Sequence, residues 1–330
     1  MPKDPAQALR EMSSVEIPAP GESLSPAATL MRKIKLRSHA ILAGPPGTGK
    51  TKLVLDAREQ LQSEGKLGIF FMTQFHREYS YQDFIDGFDA TDKGFVKKPG
   101  LFRRFIDAVE NRGQSKDDSE KVDILMIDEM NRADVSSVFG ELLTLLDDSD
   151  RKPLTLARSG ESLILPSSVV IVGTMNTADK SIALLDFALR RRFAFLFVPP
   201  DYPALQAWLT SYGFDFDDFT IDDYVKSARV LNARISLHPL LGKSMMMGQS
   251  LFVPKLRIPH PLTLDQIVEN LVEQVFPQLE AYLGFGTQKE LDKLIGIEIR
   301  RKIESAITIT HADIIGLIRV LADDKDLSAT

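Results

Sequence analysis

The 330-residue chain contains no cysteine, and this absence removes two kinds of chemistry from consideration. Disulfide bridges and thiolate metal sites both need cysteine sulfur, so neither is available to this protein. The absence also suits a reducing compartment, and we expect a cytoplasmic protein. The histidines show no metal-ligand spacing, so we interpret them as structural residues.

Long apolar runs and an excess of positive charge are missing as well. No stretch approaches the ~20 apolar residues of a membrane span, and the N-terminus lacks the charged start and apolar centre of a signal peptide, so no membrane contact is expected. The formal net charge of −6 disfavours a broad basic face. Any contact with DNA should therefore be local, or be supplied by a partner.

The most informative stretch is an uninterrupted match to the phosphate-binding loop pattern G-x-x-x-x-G-K-[ST]. It reads Gly44-Pro45-Pro46-Gly47-Thr48-Gly49-Lys50-Thr51. An apolar run precedes it and a helical pattern follows it, as the motif requires. The loop N–H groups would surround a polyphosphate, the lysine would reach the β- and γ-phosphates, and the threonine hydroxyl would join the Mg²⁺ ligands. The alternative is an ordinary glycine-rich turn between a strand and a helix.

Short apolar runs alternate with helical patterns between residues 28 and 200. The runs are apolar at nearly every position, as expected of strands covered on both faces. They lie at 40–43, 68–73, 124–127, 169–173 and 194–198. This pattern predicts an α/β fold with a five-stranded parallel sheet. Turn residues around Phe95-Val96 and near Ser159-Gly160 predict two inserted β-hairpins, and residues 133–147 read as one helix.

The composition changes on both sides of this region. Residues 1–27 are rich in proline without periodicity, so we expect a flexible lead-in. Beyond residue 200 the pattern is helical without strands, which predicts a domain of lid and C-terminal helices over 201–330. A capping-box pattern at Thr263 begins a long amphipathic helix that ends near Gly284, with a possible bend at Pro277. The run Met245-Met246-Met247 is interpreted as core rather than as a binding surface.

Polar residues follow the third and fourth strand candidates. Asp128 would hold Mg²⁺ through water, and Glu129 would orient and polarise the attacking water. Asn176 follows the fourth strand and is placed to touch the γ-phosphate or the water, because ligands bind beyond the carboxyl ends of the strands in such sheets. For the carboxylates, the alternative is an acidic strand end at the surface.

Three consecutive arginines, Arg190-Arg191-Arg192, follow a predicted helix. They cannot all face one partner from a helix end, so one or two could project outward while another pairs internally. An outward arginine could reach the nucleotide of a neighbouring subunit and accelerate hydrolysis by about 10³–10⁵-fold. The alternative is a basic helix C-terminus that complements the helix dipole.

Together these motifs resemble the McrB family, the AAA+ motor subunits of modification-dependent restriction systems. Besides the phosphate loop, the resemblance is carried by Gln74-Phe75-His76, Tyr79-Ser80-Tyr81-Gln82-Asp83-Phe84, Ile127-Asp128-Glu129-Met130-Asn131-Arg132, Met175-Asn176-Thr177-Ala178-Asp179-Lys180-Ser181 and Leu189-Arg190-Arg191-Arg192-Phe193. It implies an AAA+ P-loop core with a helical lid and a hexameric ring with nucleotide between subunits. It also implies GTP rather than ATP as the usual substrate, and a McrC-like nuclease partner.

Carried over by position, the resemblance gives each motif a role. Lys50 and Thr51 would bind phosphate and Mg²⁺, Asp128 and Glu129 would form the Walker B pair, and Asn176 would be the sensor.

Three further assignments come from the same resemblance. Arg190 and Arg191 would be candidate trans-acting arginines, and Asp179 lies in the segment suspected of guanine or interface recognition. Residues 241–250 resemble the family's Gly-His-Ser segment, but Gln249 replaces the histidine. The lead-in is too short for the family's DNA-reading domain, so either another subunit reads DNA or the target differs.

We therefore expect a ring-forming, Mg²⁺-dependent GTPase or ATPase that drives a McrBC-like restriction complex and meets DNA indirectly or through the ring pore. The alternative is an AAA+ remodelling or regulatory switch that acts on a protein partner without DNA translocation. Nucleotide-dependent DNA cleavage with a partner nuclease would favour the first function. Nucleotide-dependent capture of a protein without DNA would favour the second.

Overall fold

The computed structural model describes residues 25–324 except 93, 113–119, 148–151, 180–186, 256–260, 285–287 and 306. The expected lead-in over 1–27 therefore lies almost entirely outside the described residues. Within them, a helix already begins at Pro26, capped by the Ser25 side chain. Among the described helices, none combines the length and apolar character that crossing a membrane would need.

The strands and helices of the described residues alternate in the first part of the chain. The strands are β1 (Ala40–Gly44), β2 (Leu67–Gln74), β3 (Asp86–Thr91), β4 (Gly94–Pro99), β5 (Val122–Asp128), β6 (Leu154–Thr155), β7 (Ser162–Leu163), β8 (Val169–Asn176) and β9 (Ala194–Phe197). The helices up to β9 are α1 (Pro26–Lys35), α2 (Lys50–Ser63), α3 (Tyr81–Phe84), α4 (Leu101–Asn111), α5 (Val135–Phe139), α6 (Leu142–Leu145) and α7 (Phe187–Arg192). After β9 come α8 (Tyr202–Tyr212), α9 (Ile221–Leu237), α10 (Leu264–Asn270), α11 (Phe276–Leu283), α12 (Asp292–Ile295), α13 (Ile297–Glu304) and α14 (His311–Ala322).

The main sheet has five strands in the order β2-β5-β8-β1-β9. The pairings of β2 with β5, of β5 with β8 and of β1 with β9 are parallel, which confirms the predicted five-stranded parallel sheet. The central strand β8 and its neighbour β5 are buried along nearly their whole length because almost every position is apolar. Their carboxyl ends carry Asp128 and Asn176.

Both predicted hairpins are present, and one predicted helix is wrong. β3 pairs antiparallel with β4, and β6 with β7. The helix predicted over 133–147 is instead two short helices, α5 and α6. The break falls at Gly140, whose φ of +49° is left-handed. The ring of Tyr81 also lies 3.0 Å from where a Cβ would stand on Gly140, so a larger residue would crowd that ring in addition to straining the backbone.

The chain divides into two compact units, each with its own hydrophobic core. The first unit comprises Met1–Ala43, Thr51–Met175 and Ser181–Phe197, and the second comprises Gly44–Lys50, Asn176–Lys180 and Val198–Thr330. In the first core the largest fully buried side chains are phenylalanines, at positions 75, 84, 102, 105 and 139. Burying each such side chain contributes roughly 1.5–3 kcal/mol to the stability of the fold.

The second unit packs helices and 3₁₀ turns around a core that includes Tyr224, Phe252 and the methionines at 245 and 247. The core interpretation of the methionine run is therefore confirmed. Thr263 and Gln266 form the predicted capping box of α10. The predicted long helix is interrupted by a π-helical turn, Leu271–Val275, which ends two positions before Pro277. Proline has no backbone N–H, so Pro277 cannot donate the hydrogen bond that would continue the α-helix, and an irregular turn just before it is expected.

A buried carboxylate on β5 connects the end of α4 and the edge strand β2 in the first unit. The Asp123 side chain is completely buried, and its Oδ1 accepts hydrogen bonds from Arg112 Nη1 and, at 2.6 Å, from the backbone N–H of Ile69. The β2–β5 register shifts between Leu67 and Phe70. The carboxylate therefore receives a backbone donor at the point where the ladder is irregular.

Replacing Asp123 by alanine should destabilise the protein by about 3 kcal/mol, since the change leaves the Arg112 guanidinium without its buried counter-charge. Urea unfolding of the two proteins would measure this as a lower midpoint. The control is Asp56→Ala, which breaks the exposed pair between Lys52 and Asp56 and should cost ~0.5 kcal/mol or less. Equal midpoints for Asp123→Ala and the parent would contradict a stabilising role.

Candidate functional site

The phosphate-binding loop connects β1 to α2 and bends through two left-handed glycines. Gly47 and Gly49 have φ values of +79° and +80°, which L side chains rarely adopt. Thr48 is buried, and its hydroxyl donates to the carbonyl of Pro45 at 3.0 Å. The sequence folds this way because glycines occupy the two positions that need positive φ, while the hydroxyl closes the turn between them.

The second unit brings the predicted phosphate lysine together with the predicted sensor. Lys50 is buried, and its Nζ donates to the carbonyls of Gly44 and Pro45 at 3.0 and 2.8 Å. The same ammonium donates to Asn176 Oδ1 at 2.7 Å. These three oxygens match the three donors of an ammonium group. The loop thus holds a positive charge against its own backbone, next to the end of β8.

The first unit brings the predicted magnesium ligands together. The hydroxyl of Thr51 donates to Asp128 Oδ1 at 3.0 Å, and the hydroxyl of Thr174 donates to the same carboxylate oxygen. A hydroxyl and a carboxylate side by side form the hard oxygen donor set that Mg²⁺ prefers. With a phosphate-binding loop directly before Thr51 in the chain, the residues present fit a magnesium-bound triphosphate.

Glu129, the predicted water-orienting residue, stands in a strained backbone conformation. Its φ and ψ of 50° and 40° are left-handed, which is uncommon for a residue with a side chain. Its N–H donates to Thr174 Oγ1 at 3.3 Å, and its Oε2 accepts from Arg132 Nε at 3.2 Å. Strain of this kind costs on the order of 1–3 kcal/mol and clusters at functional sites.

The three arginines differ in their surroundings. Arg192 pairs with Asp147, Nη2 to Oδ2, at 2.5 Å. Arg190 is exposed and lies 5.9 Å from the ring centroid of Phe195, while Arg191 is exposed as well. Arg192 is thus paired within the first unit, while Arg190 and Arg191 lie on the surface.

Asp179 lies in the second unit, shortly after Asn176. Burial, and then the negative charge of Asp179, raises the pKa of the Tyr282 hydroxyl on α11. The direction follows because both causes disfavour a phenolate. The charge of Asp179 therefore acts on a side chain of α11.

Three residues in contact with these groups were not expected from the sequence. Thr174 bridges Asp128 and the backbone of Glu129, Arg132 binds the Glu129 carboxylate, and Gln249 donates to the phosphate loop. A polar residue at the end of an apolar strand is the signal for Thr174. For Gln249 the sequence gives only its place in the segment that resembles the family's Gly-His-Ser motif, and not its partner, which lies 201 positions away.

The sequence of the chain matches a protein family and a known restriction-enzyme subunit. Residues 39–193 match the family model described as "AAA domain (dynein-related subfamily)". The chain is 34% identical over 280 residues to the "Type IV methyl-directed restriction enzyme EcoKMcrB subunit" of Escherichia coli (strain K12), covering 81% of this chain and 59% of that protein.

Two further matches are more distant. The "Type II restriction enzyme BsuMI component YdiS" of Bacillus subtilis (strain 168) is 30% identical over 213 residues, or 51% of this chain and 60% of that protein. A crystal structure of a candidate ATPase from Cytophaga hutchinsonii aligns over 96% of this chain and 78% of that one at 15% identity. Its TM-score of 0.38 is too low to add to the assignment.

The chain thus spans about three fifths of the length of the two curated relatives, at 59% and 60%. The matched residues include the sheet strands β1, β2, β5 and β8 together with the phosphate loop, and they end just before β9. The similarity to the McrB subunit extends over most of the chain. The chain belongs to the McrB family of AAA+ P-loop NTPases.

Proposed function

We propose that this chain is the ring-forming, Mg²⁺-dependent nucleoside triphosphatase that drives a McrBC-like restriction complex. The observation that carries the proposal is the 3.0 Å hydrogen bond from Thr51 to Asp128, because it brings together the two side chains that such an enzyme uses to hold its metal. The similarity to two restriction-enzyme components supports the cellular role.

Each residue has a definite task in the proposed reaction. Lys50 exchanges its contacts with loop carbonyls for phosphate oxygens, and the loop N–H groups bind the triphosphate. Thr51 and Asp128 hold Mg²⁺, which when bound offsets the negative charge of the β- and γ-phosphates. Glu129 orients the attacking water, and its left-handed backbone and its bond to Arg132 restrict where the carboxylate can reach. Asn176 contacts the γ-phosphate or the water.

The surface position of Arg190 and Arg191 supports a site completed by a second subunit. An exposed arginine can reach the nucleotide of a neighbouring subunit and offset charge in the transition state. Residues 201–330 would act as the lid of the same motor. A McrC-like nuclease subunit would be the partner, with DNA bound indirectly or through the ring pore.

Steady-state hydrolysis of GTP and ATP, measured side by side over a wide range of protein concentration, tests the function. We expect the rate per subunit to rise with concentration, because the active site would need a neighbouring subunit. We also expect GTP to be hydrolysed faster than ATP, as the resemblance to the McrB family implies. A rate per subunit that stays constant with concentration would contradict a site shared between subunits. Under that result a switch acting on a protein partner would become the better description.

Glu129→Gln should reduce hydrolysis by about 10²–10⁴-fold while nucleotide binding stays near the parental value, because the amide can no longer accept a proton from water. Single-turnover hydrolysis and nucleotide titration measure the two quantities separately. The control is Glu110→Gln, the same change at an exposed position on α4, which should leave both unchanged. Parental turnover by Glu129→Gln would show that another group activates the water.

Arg191→Ala should lower hydrolysis by about 10³-fold if the arginine acts on a neighbour's nucleotide. The decisive measurement mixes this variant with Lys50→Ala, which cannot bind nucleotide but keeps Arg191. Mixed rings would place an intact arginine beside an intact nucleotide site, so activity should partly return, although neither variant is active alone. A mixture as inactive as its components would contradict the trans role.

A further inference from the structure

The phosphate loop is held from outside by a short segment of the second unit, Gly248-Gln249-Ser250. Three hydrogen bonds connect them, and all end on loop carbonyls. They run from Gly248 N to Pro46 O at 2.8 Å, from Ser250 N to Gly47 O at 3.1 Å, and from Gln249 Nε2 to Thr48 O at 3.1 Å. The carbonyls belong to three consecutive residues, so the segment fixes three consecutive peptide groups.

The orientation of the loop N–H groups follows from these bonds. In a trans peptide the C=O of one residue and the N–H of the next point in opposite directions, and the described residues contain no cis peptide. Because the three carbonyls face the segment, the N–H groups of Gly47, Thr48 and Gly49 face away from it. Consecutive N–H groups turned to one side form a concave anion-binding surface.

The segment is itself firmly anchored by buried amide side chains. Asn232 of α9 is completely buried, donates to Met247 O at 2.8 Å and accepts from Met247 N at 2.7 Å. Asn270 of α10 donates to Leu251 O at 3.0 Å. These bonds fix the backbone on both sides of the segment, so its three donors are held in place before any ligand arrives.

Close approach explains why a glycine begins the segment. A Cβ built on Gly248 would lie 2.0 Å from Gly47 C and 2.2 Å from Thr48 N, so no side chain fits there. Gln249 then reaches over the loop. Its Oε1 accepts from Asp201 N at 3.1 Å while its Nε2 donates to Thr48 O, which fixes the orientation of the amide from both ends.

We propose that Gln249 is a positioning residue for triphosphate binding. Its side-chain donor holds the Thr48–Gly49 peptide with the N–H turned toward the phosphates, and the neighbouring backbone donors of Gly248 and Ser250 do the same for the two preceding peptides. The proposal rests on the proposed function, because it assumes that the loop binds a triphosphate. Of the three bonds, only that of Gln249 can be removed by changing a side chain.

The test measures binding of Mg²⁺-tripolyphosphate and Mg²⁺-GTP to Gln249→Met, which keeps length and neutrality but neither donates to Thr48 nor accepts from Asp201. We expect both ligands to bind about tenfold more weakly, with KM for GTP raised by a similar factor and kcat near parental, because a preformed cradle contributes uniform binding. The control is Gln206→Met on an exposed position of α8, which should bind as the parent does. Gly248→Ala, which pushes the segment away from the loop, should also weaken binding.

Three results would overturn the proposal, and one of them would also refute the proposed function. Parental tripolyphosphate affinity in Gln249→Met, with binding abolished in Lys50→Ala, would refute the positioning role and leave the proposed function standing. A lower melting temperature of the ligand-free variant with unchanged affinity would show a structural role only. Parental affinity in Lys50→Ala would show that the loop is not the phosphate site, which would refute the proposed function as well.

Discussion

The fold of this protein depends on one geometric constraint: peptide N–H groups can converge on an anion only if their carbonyls diverge from it. The chain meets the constraint with left-handed glycines at positions 47 and 49, which turn the loop. The outward carbonyls then need donors, since a buried carbonyl without a partner is costly. Lys50 and the segment 248–250 provide them. The same atoms that satisfy the loop thereby shape it.

The parts of the fold that were predictable are those that depend on local chemistry. The inner strands β5 and β8 could be recognised because they are apolar on both faces, and the phosphate loop because its glycines, lysine and threonine are close together in sequence. The capping box at Thr263 is equally local, since three residues contain it. In each case the physical cause and the signal lie within about ten residues.

The features that were missed depend on partners far away in the chain. The helix over 133–147 breaks at Gly140, where the ring of Tyr81 packs, about 60 residues earlier. The helical pattern of the sequence carries no trace of that ring. Likewise, the resemblance of residues 241–250 to a family segment draws attention to Gln249, but the sequence does not show that its side chain binds Thr48. The left-handed backbone of Glu129 is a further case, because tertiary contacts of the strand ends, rather than local propensity, stabilise it.

The end of β8 shows how one short strand can serve two tasks. Thr174 and Asn176 are two positions apart, so their side chains leave the strand on the same side. Thr174 binds Asp128, the predicted metal ligand, and Asn176 binds the Lys50 ammonium. Each unit thus takes one of its functional contacts from the same strand: Thr174 holds the Asp128 carboxylate in the first unit, and Asn176 holds the Lys50 ammonium in the second.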